Sequence, residues 1–313
     1  MTETLRFISS GNYTELQGDQ SAFPHVSVST YGNEWLVVKN SGVTRNRIIV
    51  GAGKTLNIIM CDGSSLTSQI TVEAGQTVNI FGQLQDSGFL TGDSDDMFDT
   101  GIGAYYEADA GTINIHGGNI MAVGSTSGIG GVEEHHGGTI NIYGGTIDAY
   151  GSKNSAAIGG AEDSTGGTIR ITGGYVRAYG GNNAAGIGSG EETTAGPNIN
   201  GGTITITGGD VSGIGQDGGA GIGAGAGASA GVISIEGGTV EGHGGKDCIG
   251  AIRSNDTEHE PNTITIGDYM RVNAGSEYFA EADRIYWFWN ARDIHIEPCS
   301  HSGNPCTWCK YGK

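Results

Sequence analysis

Gly137-Gly138-Thr139-Ile140-Asn141-Ile142-Tyr143-Gly144-Gly145-Thr146-Ile147-Asp148-Ala149-Tyr150 decides the fold. On either side of a glycine pair, apolar residues alternate with others, the period of two that marks a half-buried strand. The Gly-Thr-Ile-x-Ile phrase returns with its threonine at 112, 168 and 203, then degenerates at Val232 and Thr263. A second phrase, Ile-Gly, recurs at Ile102, Ile129, Ile158, Ile187, Ile222 and Ile249. A third places Ile or Val two before a small residue: Ile120 and Ala122, Ile147 and Ala149, Val176 and Ala178, Val211 and Gly213, Val240 and Gly242. The first phrase advances by 27, 29, 35, 29 and 31 residues, so each period holds three short strands.

Three such strands cannot bury a face alone. Stacked as coils, they enclose one narrow interior of Ile, Val and Ala, with each backbone group paired to the coil above or below. The sequence therefore predicts an all-β, right-handed parallel β-helix, its hand set by the preference for right-handed parallel crossovers. Glycines mark the corners, where tight turns call for positive φ. Leu56-Asn57-Ile58 and Val78-Asn79-Ile80 alternate the same way 22 residues apart, so the N-terminal third follows the scheme more loosely. The expected organisation is an N-terminal cap over 1–34, the helix over 35–275, a cap strand over 276–297 and a Cys/His tail over 298–313. Within the closing cap, Arg284-Ile285-Tyr286-Trp287-Phe288-Trp289 is bulky where the coils are lean.

Composition removes other classes. The chain has 60 glycines in 313 residues but only 5 prolines and no strict every-third glycine, which excludes collagen. So many glycines also disfavour helical bundles, since each costs roughly 1 kcal/mol in a helix relative to alanine. Fifteen basic against 34 acidic residues give a net charge of −19, which repels phosphate backbones and argues against nucleic acid. The same balance argues against a polyuronate lyase, which needs cations opposite its substrate's carboxylates. No apolar run is long enough to span a membrane, and Met1–Leu16 shows neither the basic nor the apolar region of a signal peptide.

Function must lie on the outward face. Coils lie ~4.8 Å apart, so equivalent positions form ladders. Five residues past each Ile-Gly isoleucine stand Glu107, Glu134, Asp163 and Glu192; four past stand Tyr106, Glu133, Glu162 and Glu191. Stacked like charges repel, so these columns admit three readings: a solvated acidic face, a Ca²⁺ site, or catalysis. For catalysis, Glu133, Glu134, Glu162 and Asp163 are the central candidates. Neighbouring carboxyls ~5 Å apart suit a retaining glycosidase, and their repulsion raises one pKa as a general acid requires.

A second ladder, Val123, Tyr150, Tyr179, Ile214 and His243, offers aromatic groups that suit sugar rings, although tyrosine is also simply a good strand residue. A third runs His116, Tyr143, Thr172, Thr207 and Glu236. The candidate ligand-binding set is Glu107, Glu191, Glu192, Tyr150, Tyr179 and His243. In the tail, Cys299, His301, Cys306 and Cys309 have the spacing of a closed tetrahedral Zn²⁺ site that would staple a segment without a core. A disulfide or unpaired thiols are the other readings.

Thr55-Leu56-Asn57-Ile58-Ile59-Met60-Cys61-Asp62-Gly63, the Ile80-Phe81-Gly82-Gln83 turn and the Gly-Ile-Gly and Gly-Gly-Thr-Ile coils resemble repetitive β-helical proteins of Gram-positive gut bacteria. Those are usually surface or secreted proteins described as carbohydrate-binding, and similar Cys/His tails follow their helices. The resemblance implies an extracellular or cell-surface bacterial protein with a glycan partner, and is compatible with a homo-oligomer. The expected function is a carbohydrate-recognition or adhesion module, aided by Ca²⁺ if the acid columns hold it. A β-helix glycoside hydrolase and a structural spacer or fibre element are the alternatives.

Overall fold

The computed structural model describes residues 13–16, 28–94, 99–193, 199–245, 248–250, 263–267, 270–274 and 293–298. They form one sheet of 25 strands wound into a right-handed parallel β-helix, as the repeat predicts. Each phrase stacks on its copy in the next coil. Thr112–Ile115 pairs in parallel with Thr139–Ile142, and that strand with Thr168–Ile171. Asn119–Val123, Thr146–Tyr150 and Tyr175–Tyr179 stack likewise, as do the two-residue Ile-Gly strands.

The inward residues make single-file columns. Ile113, Ile140, Ile169, Ile204 and Ile233 are wholly buried, and so are Ile115, Ile142, Ile171, Ile206 and Ile235. Burying such a side chain stabilises by about 1.5–3 kcal/mol, so a lean core is repaid by its length. The third column tapers from Ile120 and Ile147 to Val176, Val211 and Val240.

The number of strands per coil changes along the chain. In the N-terminal third, Glu34–Val38, Thr55–Met60 and Thr77–Gly82 stack with 22-residue spacing, as at Leu36, Ile58 and Ile80. The other side of these coils is built of longer strands, Val43–Val50 and Ser65–Thr71, which pair with each other. Ser65–Thr71 is where the coil divides: its first half pairs with Phe89–Asp93, its second with Ile102–Gly103. From there on the coils have three strands. Residues 14–16 and 28–31, inside the segment expected as a cap, pair in parallel with Leu36–Val38 and Arg47–Val50.

At the other end the polarity reverses. Asp293–Pro298 pairs antiparallel with Val240–His243 on one edge and with Met270–Ala274 on the other. The bulky run 284–289 and the tail Cys299, His301, Cys306 and Cys309 lie outside the described residues.

The outward face of the first strand carries an amide ladder. Asn79 Nδ2 donates to Asn57 Oδ1, Asn114 to Asn79 and Asn141 to Asn114, each at 2.8 Å, while Asn57 Nδ2 donates to the Glu34 carbonyl at 3.3 Å. Arg170 follows Asn141 in register and ends the series.

Candidate functional site

From Glu134 onward the acid column takes the register that the count predicts. Glu134 N donates to the Glu162 carbonyl at 3.0 Å, Asp163 N to that of Glu191 at 2.9 Å, and Glu192 N to that of Ala226 at 2.8 Å. This ladder sets Glu134, Asp163, Glu192 and Gly227 in successive coils. Glu134 and Asp163 hold positive φ, 62° and 54°, where acidic residues are tolerated better than branched ones. Partial burial pushes Glu133 above the usual carboxylate range, helped by Glu162, Glu134 and Asp163 and opposed by Lys153. Burial also raises Glu191, against a hydrogen bond from Asn183 Nδ2 at 3.2 Å that favours its charged form. Asp163 accepts from Thr193 N at 2.8 Å and from its hydroxyl at 2.6 Å.

The structure thus brings Glu133, Glu134, Glu162, Asp163 and Glu191 into one electrostatic neighbourhood, with Glu192 stacked on Asp163 and Glu107 exposed one coil earlier. Glu133 and Glu134 keep more than a third of their surface open to solvent, which tempers the desolvation at Glu133, and Glu162 and Asp163 are half-buried. A carboxyl whose folded pKa is raised binds its proton more tightly in the folded chain. Its charged form therefore costs stability at neutral pH, and that cost disappears as pH falls through the carboxylate range. Glu133→Gln is expected to raise the melting temperature at pH 7, with the gain shrinking on acidification. A variant that melts lower at neutral pH, or gains equally in acid, would count against the repulsion.

The second ladder is in register: Val123, Tyr150, Tyr179, Ile214 and His243 are consecutive partners. Tyr150 and Tyr179 stack with centroids 5.0 Å apart and planes within 6°, so these faces meet each other and the outer edges meet solvent. Beside them Arg177 donates two hydrogen bonds to Asp148, Nε to Oδ1 at 2.5 Å and Nη2 to Oδ2 at 2.7 Å, which raises the guanidinium pKa. His243 Nε2 lies 3.8 Å from Glu241 Oε2, and the same carboxylate meets His295 Nδ1 at 3.0 Å.

The third ladder holds more than its spacing announced. Phe81 stacks on His116 at 4.5 Å and His116 on Tyr143 at 4.7 Å, and Trp35 reaches Phe81 at 5.6 Å to make a four-ring column. Burial in this stack lowers the His116 pKa. The ladder's last member needs correction: a register shift sets Gly237, not Glu236, opposite Thr207. Counting residues cannot see a bulge between segments of equal length.

A further feature had no counterpart in the sequence reading. An open trough of about 430 Å³ runs across three coils. One wall is Thr165, Asn200 and Ser229, the other Thr168, Thr203 and Val232, and Gly167, Gly202 and Gly231 line it between them. These glycines have φ of 75°, 82° and 74°. A Cβ on any of them would lie 2.1–2.3 Å from the preceding coil's carbonyl oxygen. Asn200 and Ser229 are bridged in parallel, and Gly166 N donates to the Asn200 carbonyl at 3.0 Å, so the coils satisfy much of the wall's backbone among themselves. His136 Nδ1, 2.9 Å from Thr165 Oγ1, sits one coil before that wall. The signal in the sequence was the recurring Thr165-Gly-Gly-Thr168, Asn200-Gly-Gly-Thr203 and Ser229-Ala-Gly-Val232.

A family model described as beta helix repeat matches residues 113–131, 140–162 and 169–191. The chain is similar to that repeat over the coils that lead to the acid columns. No curated protein and no solved structure matches it. No helix among the described residues is long and apolar enough to cross a membrane.

Proposed function

We propose that the protein is a carbohydrate-recognition module and that the trough is its binding surface. The trough itself carries this reading: an open depression whose walls offer hydroxyl and amide groups at the ~4.8 Å coil spacing. A hydroxyl donates once and accepts twice, so Thr168 and Thr203, both exposed, match the alternating donors and acceptors of a sugar. An open face suits binding along a chain, whereas an enzyme encloses its reacting bond. Retention on immobilised glycans tests the reading. Thr168→Ala/Thr203→Ala is expected to weaken retention about tenfold, the equivalent of about 1.4 kcal/mol. Full retention by that variant would sink the trough as the site.

A glycoside hydrolase is the second reading, favoured by one observation: the Glu133 carboxyl is held above its usual range beside Glu162, Glu134 and Asp163. Release of reducing ends by the wild type, lost in Glu133→Gln, would establish hydrolysis. Retention without release would retire it.

A further inference from the structure

One wall of the trough begins two residues past the acid columns, and that proximity narrows what it can hold. Asp163 precedes Thr165 of the wall by two residues, so their Cα atoms are at most about 7.6 Å apart, two steps of 3.80 Å. That is within the Debye length of about 8 Å at physiological ionic strength. Glu162 is one residue further back, and Glu191, whose carbonyl accepts from Asp163 N at 2.9 Å, continues the column on the next coil with Glu192. On the opposite side one cation, Arg170, follows Thr168 by two residues and is exposed. These four carboxylates outnumber Arg170 and Lys153, the cation that acts on Glu133 one coil earlier, and leave the field over the trough negative in a chain whose net charge is already −19.

The shape adds a second constraint. The walls repeat coil by coil along the helix axis, at a spacing close to the length of one pyranose unit in an extended chain. A ligand that uses equivalent groups on 165–168, 200–203 and 229–232 must run along the axis. Gly167, Gly202 and Gly231 line the trough with backbone, and because a Cβ on any of them would strike the preceding coil's carbonyl, that floor is held to glycine by coil packing.

Resting on the carbohydrate reading above, we infer that the trough takes an extended, uncharged polysaccharide with one pyranose per coil, and that Glu162, Asp163, Glu191 and Glu192 are specificity-determining residues that turn polyanionic chains away. Like charges brought together across an interface cost several kcal/mol, enough to decide between chains of otherwise equal fit.

The test uses the full chain with two families of probe, neutral cello- and xylo-oligosaccharides and oligogalacturonates, at low and high salt. Neutral ligands are expected to bind with an affinity indifferent to salt, rising with length until the chain spans the three coils. Oligogalacturonates are expected to bind poorly at low salt and better at high salt. In Glu162→Gln/Glu191→Gln the preference for neutral over anionic chains is expected to fall about tenfold or more. An unfolding midpoint like that of the wild type shows that the double variant is folded. Wild-type binding of oligogalacturonate at low salt as tight as that of the neutral chain would overturn the inference and leave the carbohydrate reading intact. So would a double variant that keeps the wild-type preference. If neither family binds, the carbohydrate reading itself fails.

Discussion

Gly188→Ala is expected to cost more than about 4 kcal/mol, the range reserved for failures of backbone or core. Gly188 sits at φ 137°, and a Cβ there would lie 1.7 Å from the Gly223 carbonyl oxygen. That oxygen cannot retreat, because it accepts from Ser189 N at 3.1 Å and belongs to the next coil's Ile-Gly strand. Strained φ alone costs about 1–3 kcal/mol, and the clash adds to it by forcing two coils apart. The matched control is Gly53→Ala: φ there is 67° with nothing within 4 Å of the added carbon, so about 1–2 kcal/mol is expected. Urea unfolding of both variants decides. Equal losses would mean that the Ile-Gly corner is not the close contact its geometry describes.

The second large effect concerns a buried ion pair in the N-terminal coils. Arg47 Nη2 lies 3.2 Å from Asp99 Oδ2, with side-chain exposures of 13% and 1%. Arg47 Nε donates to Gln69 Oε1 at 2.6 Å, and the Tyr105 ring covers the guanidinium with its centroid 3.5 Å away. Asp99→Ala leaves that cation buried beside a lost partner and is expected to destabilise by about 3–5 kcal/mol. Removing both charges with Arg47→Met/Asp99→Ala is expected to cost less than Asp99→Ala alone. A double variant no more stable than the single would show that the penalty comes from packing at Asp99 and not from an orphaned charge.

The columns were legible because a β-helix writes its register into the spacing of its phrases. Thr112, Thr139, Thr168 and Thr203 are partners because each opens its own copy of the phrase, whatever the length of the coil between. The acid columns followed from the same count. The four-ring stack followed only in part: Phe81 stands four residues past Thr77 as His116 does past Thr112 and Tyr143 past Thr139, but the phrase reads Thr77-Val78-Asn79-Ile80 there and was not counted with the others. Trp35 belongs to a neighbouring position: its partner is Asn57, while that of Phe81 is Ile59. The trough was hidden for a different reason. Its floor is left-handed glycine backbone packed on the preceding coil's carbonyls, and glycine pairs read equally well as plain corners.

The asparagine ladder has a consequence in how its strength is distributed. Its amides point one way, donor toward the N-terminal coil and acceptor toward the C-terminal one, so their dipoles add along the row. Each link polarises the next, and a chain of this kind is stronger at its centre than at its ends. The Asn141 end is the electronegative pole, and the coil beyond supplies Arg170 in register, a positive charge where the row terminates. Such a row behaves as a one-dimensional polarised wire laid along the solenoid. Cutting it at Asn79 or Asn114 breaks two links and leaves two short dipoles, whereas trimming Asn141 only shortens it.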